Sequence, residues 1–462
     1  MRYFDRREFL KGLLSLGAFV SLSFLLPSCL LKNQQESETA TQVTPASSQV
    51  PPDSDPSVLA EEKTEIEKAE SVAIKKQNPL VLLYSEEINE YRFGIYRLYR
   101  GTRFQTFMQF LQENYPEGDN YRILEAEPAT DEDLLLLCSQ EYIDFTKNYF
   151  KAANLGQTCT GNFSEFHSVE NKTTISPGKV EEAARLIIGQ AKMACDLVHE
   201  DKYEKVVSIG GGWHHAKPDY GEAYCVYNDV AFCAKYLMQK YSLERILILD
   251  TDAHAGNGTS DYFYDDPRVL LVDLHQDPET IYPNTGFADQ IGSGEGKGFT
   301  INIPLPVGAG YDSFLLAFEE VVEPVVREFS PQIIIQNCGS DPYKGDRICE
   351  LGLPLAGFTM IGEKVRKMSE VCNGKVINLI NSGYNRKYLP YAWLALLTGL
   401  GGIEINPEQL DSFHEASGAD FSIESETSVQ NALIYARTVE MLGEVKMHHK
   451  AYWSSLRQGY SR

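Results

Sequence analysis

Six short apolar runs rich in β-branched residues constrain the fold of this chain more than any other feature. They are Val206–Ile209, Ile246–Leu249, Val269–Val272, Phe299–Ile303, Ile333–Ile335 and Val376–Ile380. Helical patterns such as Val180–His199, Val230–Tyr241 and Tyr311–Phe329 lie between several of them. Strands that are apolar on both faces and separated by crossover helices form a mostly parallel sheet. In open parallel sheets, ligands bind beyond the carboxyl ends of the strands, and here the polar residues follow the runs. Gly210-Gly-Gly-Trp-His-His215 follows the first run and Asp250-Thr-Asp-Ala-His254 the second. Gln336-Asn-Cys-Gly-Ser-Asp341 follows the fifth and Asn381-Ser-Gly-Tyr384 the last. Four chemically loaded segments are thus expected at one edge of one sheet.

In an extended segment, residues two apart point the same way. Asp250, Asp252 and His254 therefore share one side. An imidazole and two carboxylates, with Asp341 delivered from a later strand, suffice for a divalent ion with an open position. That set suits Zn²⁺, with ferrous iron as the competitor. Taken alone, the same run reads equally well as a loop with capping aspartates, and the His214-His215 pair is weaker still. His448-His449 is expected on the surface. Gly292-Ser-Gly-Glu-Gly-Lys-Gly298 imitates a phosphate-binding loop, but Gly298 stands where Ser or Thr is needed and a strand follows, so it reads as a turn.

The chain has 462 residues, of which 43% are hydrophobic and 11% aromatic. That is enough to bury a large core, and a mean hydropathy of −0.28 excludes a polytopic membrane protein. The net charge of −23 works against nucleic-acid binding and steers cations toward the surface. Nine cysteines show no CxxC or Cys/His zinc spacing, and Cys225 and Cys338 are expected as buried thiols.

The N-terminus reads as an address. Arg6-Arg7 precede an apolar run from Gly12 to Leu26, and Leu26-Pro-Ser-Cys29 closes it. The run is shorter than the roughly 20 residues of a spanning helix. Residues 1–29 resemble a twin-arginine lipoprotein signal with Cys29 as the lipidated residue, an uncleaved anchor being the alternative. Both readings place the body outside the cytoplasm, attached to a membrane and facing the periplasm or cell exterior. Residues 30–76, polar and proline-containing, are expected to be a disordered tether. Residues 77–445 are expected to form the catalytic domain and 446–462 a tail.

Six segments then occur in a telling order: Gly210-Gly-Gly-Trp-His-His-Ala216, Tyr224-Cys-Val-Tyr-Asn-Asp-Val-Ala231, Asp250-Thr-Asp-Ala-His-Ala-Gly-Asn-Gly-Thr259, Tyr282-Pro-Asn-Thr-Gly286, Cys338-Gly-Ser-Asp-Pro-Tyr-Lys-Gly-Asp346 and Gly383-Tyr384. Together they resemble the histone deacetylase / acetylpolyamine amidohydrolase family, from about Leu80 to about Gly402. The resemblance implies an arginase-like three-layer α/β/α sandwich and metal-dependent hydrolysis of N-acyl amides, usually with Zn²⁺. It implies Asp252, His254 and Asp341 as metal ligands, His215 as general base, and His214 as a charged partner oriented by Asp250. Asn257 stands behind His215. Tyr384 is expected to hydrogen-bond the developing oxyanion. Tyr224 and Tyr282 are expected to wall a substrate tunnel, with Gly212 and Gly383 among the substrate-contacting residues. A structural K⁺ beside Asp250 is a further expectation. Ala255, Asn381-Ser382 and Pro342-Tyr-Lys344 depart from the family pattern, and the Asn381-Ser382 change is expected to shift the loop carrying Tyr384. The implied function is removal of acetyl groups from acetyl-lysine or small acylated amines such as acetylpolyamines. A noncatalytic metal- or acetyl-ligand-binding lipoprotein is the alternative. The oligomeric state is not legible.

Overall fold

The computed structural model describes residues 80–95, 99–118, 120–401, 403–422 and 429–457. The signal-like segment 1–29 and the tether 30–76 lie outside the described residues. Eight strands form one sheet: β1 (Leu80–Leu83), β2 (Tyr121–Leu124), β3 (Lys205–Ile209), β4 (Ile246–Asp250), β5 (Val269–Gln276), β6 (Thr300–Leu305), β7 (Ile333–Gly339) and β8 (Val376–Ser382). Their order is β2-β1-β3-β8-β7-β4-β5-β6, and every pairing is parallel. β4 through β8 are buried along their whole length, as strands covered by helices on both faces must be.

All six expected strands are present. β4, β5, β7 and β8 run past their apolar residues to include Asp250, Asp273–Gln276, Gln336–Gly339 and Asn381-Ser382. Polar residues stay in these strands because neighbouring side chains bond them; Asn378 Nδ2, for instance, donates to Gln336 Oε1 across the β7–β8 pair (2.9 Å). β1 and β2 were not anticipated: each has only four residues, and β2 carries Arg122 on its exposed side.

The helix Val180–His199 has the expected bounds. Its buried Gln190 donates from Nε2 to Ser208 Oγ (2.9 Å) and Ile209 O (3.0 Å), which fixes the carboxyl end of β3. The helix Asp229–Tyr241 is capped by Asn228, whose Oδ1 accepts from Ala231 N (2.8 Å). The same amide donates to Ala216 O (2.9 Å), tying the helix start to the segment just after His215. The expected helix Tyr311–Phe329 is interrupted by a π turn over Phe318–Val322. Pro324 has no N–H to bond back and would clash with a regular preceding turn.

The expected tail boundary at 446 falls inside the last helix, Val429–His449. His449 is buried, with its ring nitrogens 2.9 Å from Val445 O and Thr300 O. Trp453 packs on Phe299 and donates to Gly298 O (2.7 Å). A helix that covers β6 needs an apolar face at its end, and Trp453 and Leu456 extend it. His449 is therefore not a surface residue. The turn at Gly292–Gly298 leads straight into β6, as expected. Cys225, Cys338 and the other cysteines among the described residues are free thiols. No helix among the described residues is long and apolar enough to cross a membrane.

Candidate active site

β3, β8, β7 and β4 are neighbours at the centre of the sheet, so the four loaded segments converge at their carboxyl ends. Asp252, His254 and Asp341 are all buried and present ligand atoms within 4.8 Å of one another. His254 Nδ1 lies 3.0 Å from Asp252 Oδ1 and 3.1 Å from Asp341 Oδ2. Burial favours the neutral acid at Asp252, but the charged His214 and His254 rings outweigh it and hold this carboxyl well below its usual range. Burial and the Asp252 charge push Asp341 up to about 7. Two crowded carboxylates with a single imidazole are relieved by a divalent cation, and one nitrogen with two oxygens suits such an ion.

The two expected histidines differ as their partners do. His214 Nδ1 donates to Asp250 Oδ2 (2.8 Å), a carboxylate that also receives Asn337 Nδ2 and Asp252 N. Burial opposes the charged ring, but Asp250 and Asp252 outweigh it and raise His214 to about 9. His215 Nδ1 lies 2.7 Å from Asn257 Oδ1. Asn257 Nδ2 faces Glu222 Oε1 (3.4 Å), so the amide oxygen points at His215, which must donate from Nδ1. Nε2 then keeps its lone pair. Burial, then the His214 and His254 charges, hold His215 well below its usual value. One site thus carries a charged and a neutral imidazole with ring centroids 4.2 Å apart.

A cavity of about 360 Å³ opens over these groups, lined by Gly212, His214, His215, Tyr224, Asp252, His254, Tyr282 and Tyr384 among others. Gly212 has φ +124°, and a Cβ there would meet Asn337 Oδ1 at 2.4 Å, so only glycine fits beside the histidines. Gly383 sits behind the wall rather than in it: Arg103 Nη1 donates to its carbonyl (2.9 Å), and a Cβ would strike Ser340 Oγ at 1.9 Å. Tyr384 faces the cavity despite Asn381-Ser382, its backbone N–H held by Asp346 Oδ2 (2.7 Å). Burial raises its phenol well above the usual value, so it is a neutral donor. Tyr224 and Tyr282 form two of the walls. Tyr224, at φ +68°, is held in that conformation by Tyr91 Oη, which donates to its carbonyl (2.7 Å). Tyr282 donates to Glu222 Oε1 (2.5 Å) and stands edge-on to His215.

A family model described as the histone deacetylase domain matches residues 98–400. A probable deacetylase of Archaeoglobus fulgidus is 32% identical over 303 residues, covering 65% of this chain and 80% of its own. The chain belongs to the histone deacetylase family. The acetoin utilization protein AcuC of Staphylococcus xylosus is 30% identical over 322 residues, covering 69% of this chain and 82% of its own. The crystal structure of the HDA15 HD domain superimposes with a TM-score of 0.68 at 22% identity, covering 82% of this chain and 97% of that one, which supports the fold.

Within this deacetylase fold, several working residues carried no motif. Ser382 donates from Oγ to Asp341 Oδ1 (2.5 Å), the oxygen of that residue turned away from His254. Tyr99 hydrogen-bonds Asn381 at the cavity floor and stacks on Tyr224. The Arg103 guanidinium lies 4.0 Å from the Tyr99 ring centre and 4.9 Å from that of Tyr384. Glu222 joins Tyr282, Asn257 and Lys217 (3.2 Å). Only Asn381-Ser382 left a trace in the sequence, as polar residues where the family pattern has glycine.

Proposed function

We propose that the protein is a zinc-dependent amidohydrolase that removes acetyl groups from amines, acetyl-lysine or small acylamines such as acetylpolyamines being the substrates considered. The observation that carries this reading is the meeting, in one cavity, of a three-ligand cluster with two oppositely protonated imidazoles and a neutral phenol. A binding protein needs no such proton shuttle, which argues against the noncatalytic alternative. Asp252, His254 and Asp341 would hold the ion, and Fe²⁺ suits the same oxygen-rich set. When bound, the metal polarises the acyl carbonyl and makes water more acidic.

The residues supply the rest. His215 Nε2, unprotonated, accepts the proton of the attacking water as its oxygen bonds the carbonyl carbon. It returns that proton to the amine nitrogen as the C–N bond breaks. His214, kept charged by Asp250, stabilises the negative charge that grows on the acyl oxygen, and the Tyr384 hydroxyl donates a hydrogen bond to it. Asp250 and Asp273, paired in register on β4 and β5, are the surroundings in which a structural K⁺ is proposed.

The test is acetate release from acetyl-lysine peptides and acetylated amines, before and after chelation and on re-addition of Zn²⁺ or Fe²⁺. Release that vanishes with the metal and returns with it supports the reading; none from any acylated amine at any metal loading overturns it. Export and lipid anchoring through residues 1–29 belong to the same proposal, and fractionation of cells expressing the full chain with Arg6 and Arg7 replaced by Lys tests it.

A further inference from the structure

Beside the wall residues Tyr99, Ile348 and Tyr384 stands a group of arginines whose charge is opposite to that of the chain as a whole. Three loops each supply a wall residue with an arginine one or two positions away: Tyr99 before Arg100, Ile348 after Arg347, and Tyr384 before Arg386. The loops are sewn together. Asp346 Oδ2 accepts from Tyr384 N (2.7 Å) and Asn385 N (3.1 Å), its Oδ1 accepts from Ile348 N (3.0 Å), and Asn385 Nδ2 donates to Gly345 O (2.9 Å). The Asp346 carboxylate is thereby committed to backbone amides. Arg347 and Arg386 are both exposed, and neither forms an ion pair or hydrogen bond among the described residues. Arg103, beneath them, gives its donors to the carbonyls of Arg100 and Gly383.

The charged groups acting on Arg386 are Arg100, Arg103 and Arg347, which, after burial, lower its affinity for a proton. Arg347 and Arg386, which no carboxylate among the described residues pairs, leave a local positive field in a chain with net charge −23, and a ligand that supplies the counter-charge is drawn to it. Guanidinium groups suit carboxylate or phosphate oxygens in particular, through paired N–H donors.

We propose that the substrate carries an anionic group, a carboxylate or a phosphate, at the end remote from its acyl group, and that Arg347 and Arg386 receive it at the tunnel lip with Arg100 beside them. This rests on the deacetylase reading of the site. It reverses the preference for cationic amines that overall charge suggests, because only charge near the mouth acts on a bound substrate's far end. Glu170 also lines the cavity, and Glu222, bonded to the wall residue Tyr282, is paired with Lys217; neither is among the charged groups that act on Arg386.

The experiment uses the full body of the protein loaded with Zn²⁺ and four acetylated amines of matched length: N-acetyl-6-aminohexanoate, N-acetyl-5-aminopentyl phosphate, N-acetylhexylamine and N-acetylcadaverine. The expected result is kcat/KM about tenfold or more higher for an anionic member than for the cationic one, shrinking as salt is added. In R347A/R386A the anionic-to-neutral ratio is expected to fall to about one, and the carboxylate and phosphate arms show which anion is preferred. Equal or better turnover of the cationic amine, or a preference that survives the double substitution, overturns the inference while leaving the deacetylase reading intact. No release from any of the four, nor from an acetyl-lysine peptide, with either Zn²⁺ or Fe²⁺, overturns that reading itself.

Discussion

Replacing Ser382 by alanine removes a single oxygen, and the cost can be worked from its surroundings. Asp341 is fully buried. Its Oδ2 faces His254, and its Oδ1 receives the Ser382 hydroxyl at 2.5 Å. Without that hydroxyl, Oδ1 of a buried carboxylate loses its donor and Asp341 loses what holds its plane toward the other two ligands. Hydrogen bonds to charged groups contribute about 1.5–3 kcal/mol, and groups that orient a metal ligand change affinity by about 10–100-fold when removed. The two figures agree, since about 1.4 kcal/mol is a factor of ten. S382A is therefore expected to bind Zn²⁺ about 10–100-fold more weakly than the parent. Competition against a chromogenic chelator measures this directly, and thermal melting of the two metal-free proteins separates a metal effect from misfolding. Equal Zn²⁺ affinity within about twofold, with both proteins folded, would refute the reasoning and leave Ser382 as a space-filler.

Four further outcomes are expected. Y384F should fold and bind metal normally but lose about 10²–10³-fold in kcat, the range for one oxyanion donor, measured by acetate release. D250N removes the first charge that raises His214 to about 9 against burial; the alkaline limb of the kcat/KM profile, set by loss of the His214 proton, should move down by about 1–3 units. Glu328 is held down to about 2, because hydrogen bonds from Ser455 and Ser454 outweigh burial. A depressed carboxyl stabilises above its unfolded value of about 4.3 and ceases to do so as pH falls through about 2, so amide exchange at Ser454–Arg457 should speed up over that interval, and in E328Q should be fast throughout. A thiol reagent should label Cys159 before the other cysteines among the described residues, which are buried; slow labelling of Cys159 relative to them would contradict the placement of that segment.

The sequence made the sheet and its functional edge legible because buried parallel strands are apolar throughout and their polar continuations stand out. The helix Val180–His199 was readable to the residue for the same reason: its apolar stripe is unbroken. Asp250, Asp252 and His254 lie in one extended segment, so their common direction follows from backbone geometry alone. Asp341 arrives on another strand, so it could be joined to them only through the expected meeting of the polar segments at one sheet edge, which the resemblance then made specific. What stayed hidden was contact between residues remote in the chain. Ser382 and Asp341 are 41 positions apart and Arg103 and Gly383 are 280 apart, and no local period links such pairs. Glu222 was missed because a lone glutamate in a loop looks like a solvated charge. His449 was misplaced because its burial depends on β6, far upstream, and not on its own neighbours.

The order β3-β8-β7-β4 at the centre of the sheet has a consequence for biogenesis. The last strand made, β8, is not an edge but the keystone between two blocks, β2-β1-β3 on one side and β7-β4-β5-β6 on the other. Until it is inserted, His214 and His215 belong to one block and Asp252, His254 and Asp341 to the other, and Ser382 and Tyr384 are not yet in place. A ribosome-bound chain that ends before β8 can therefore hold two half-sheets, with the three carboxylate and imidazole ligands on one and the paired histidines on the other, but not the joined site, and such long-range closure is slow. The pairing of histidines, ligand cluster and Tyr384 in one cavity therefore waits for β8, among the last parts of the body to be synthesised.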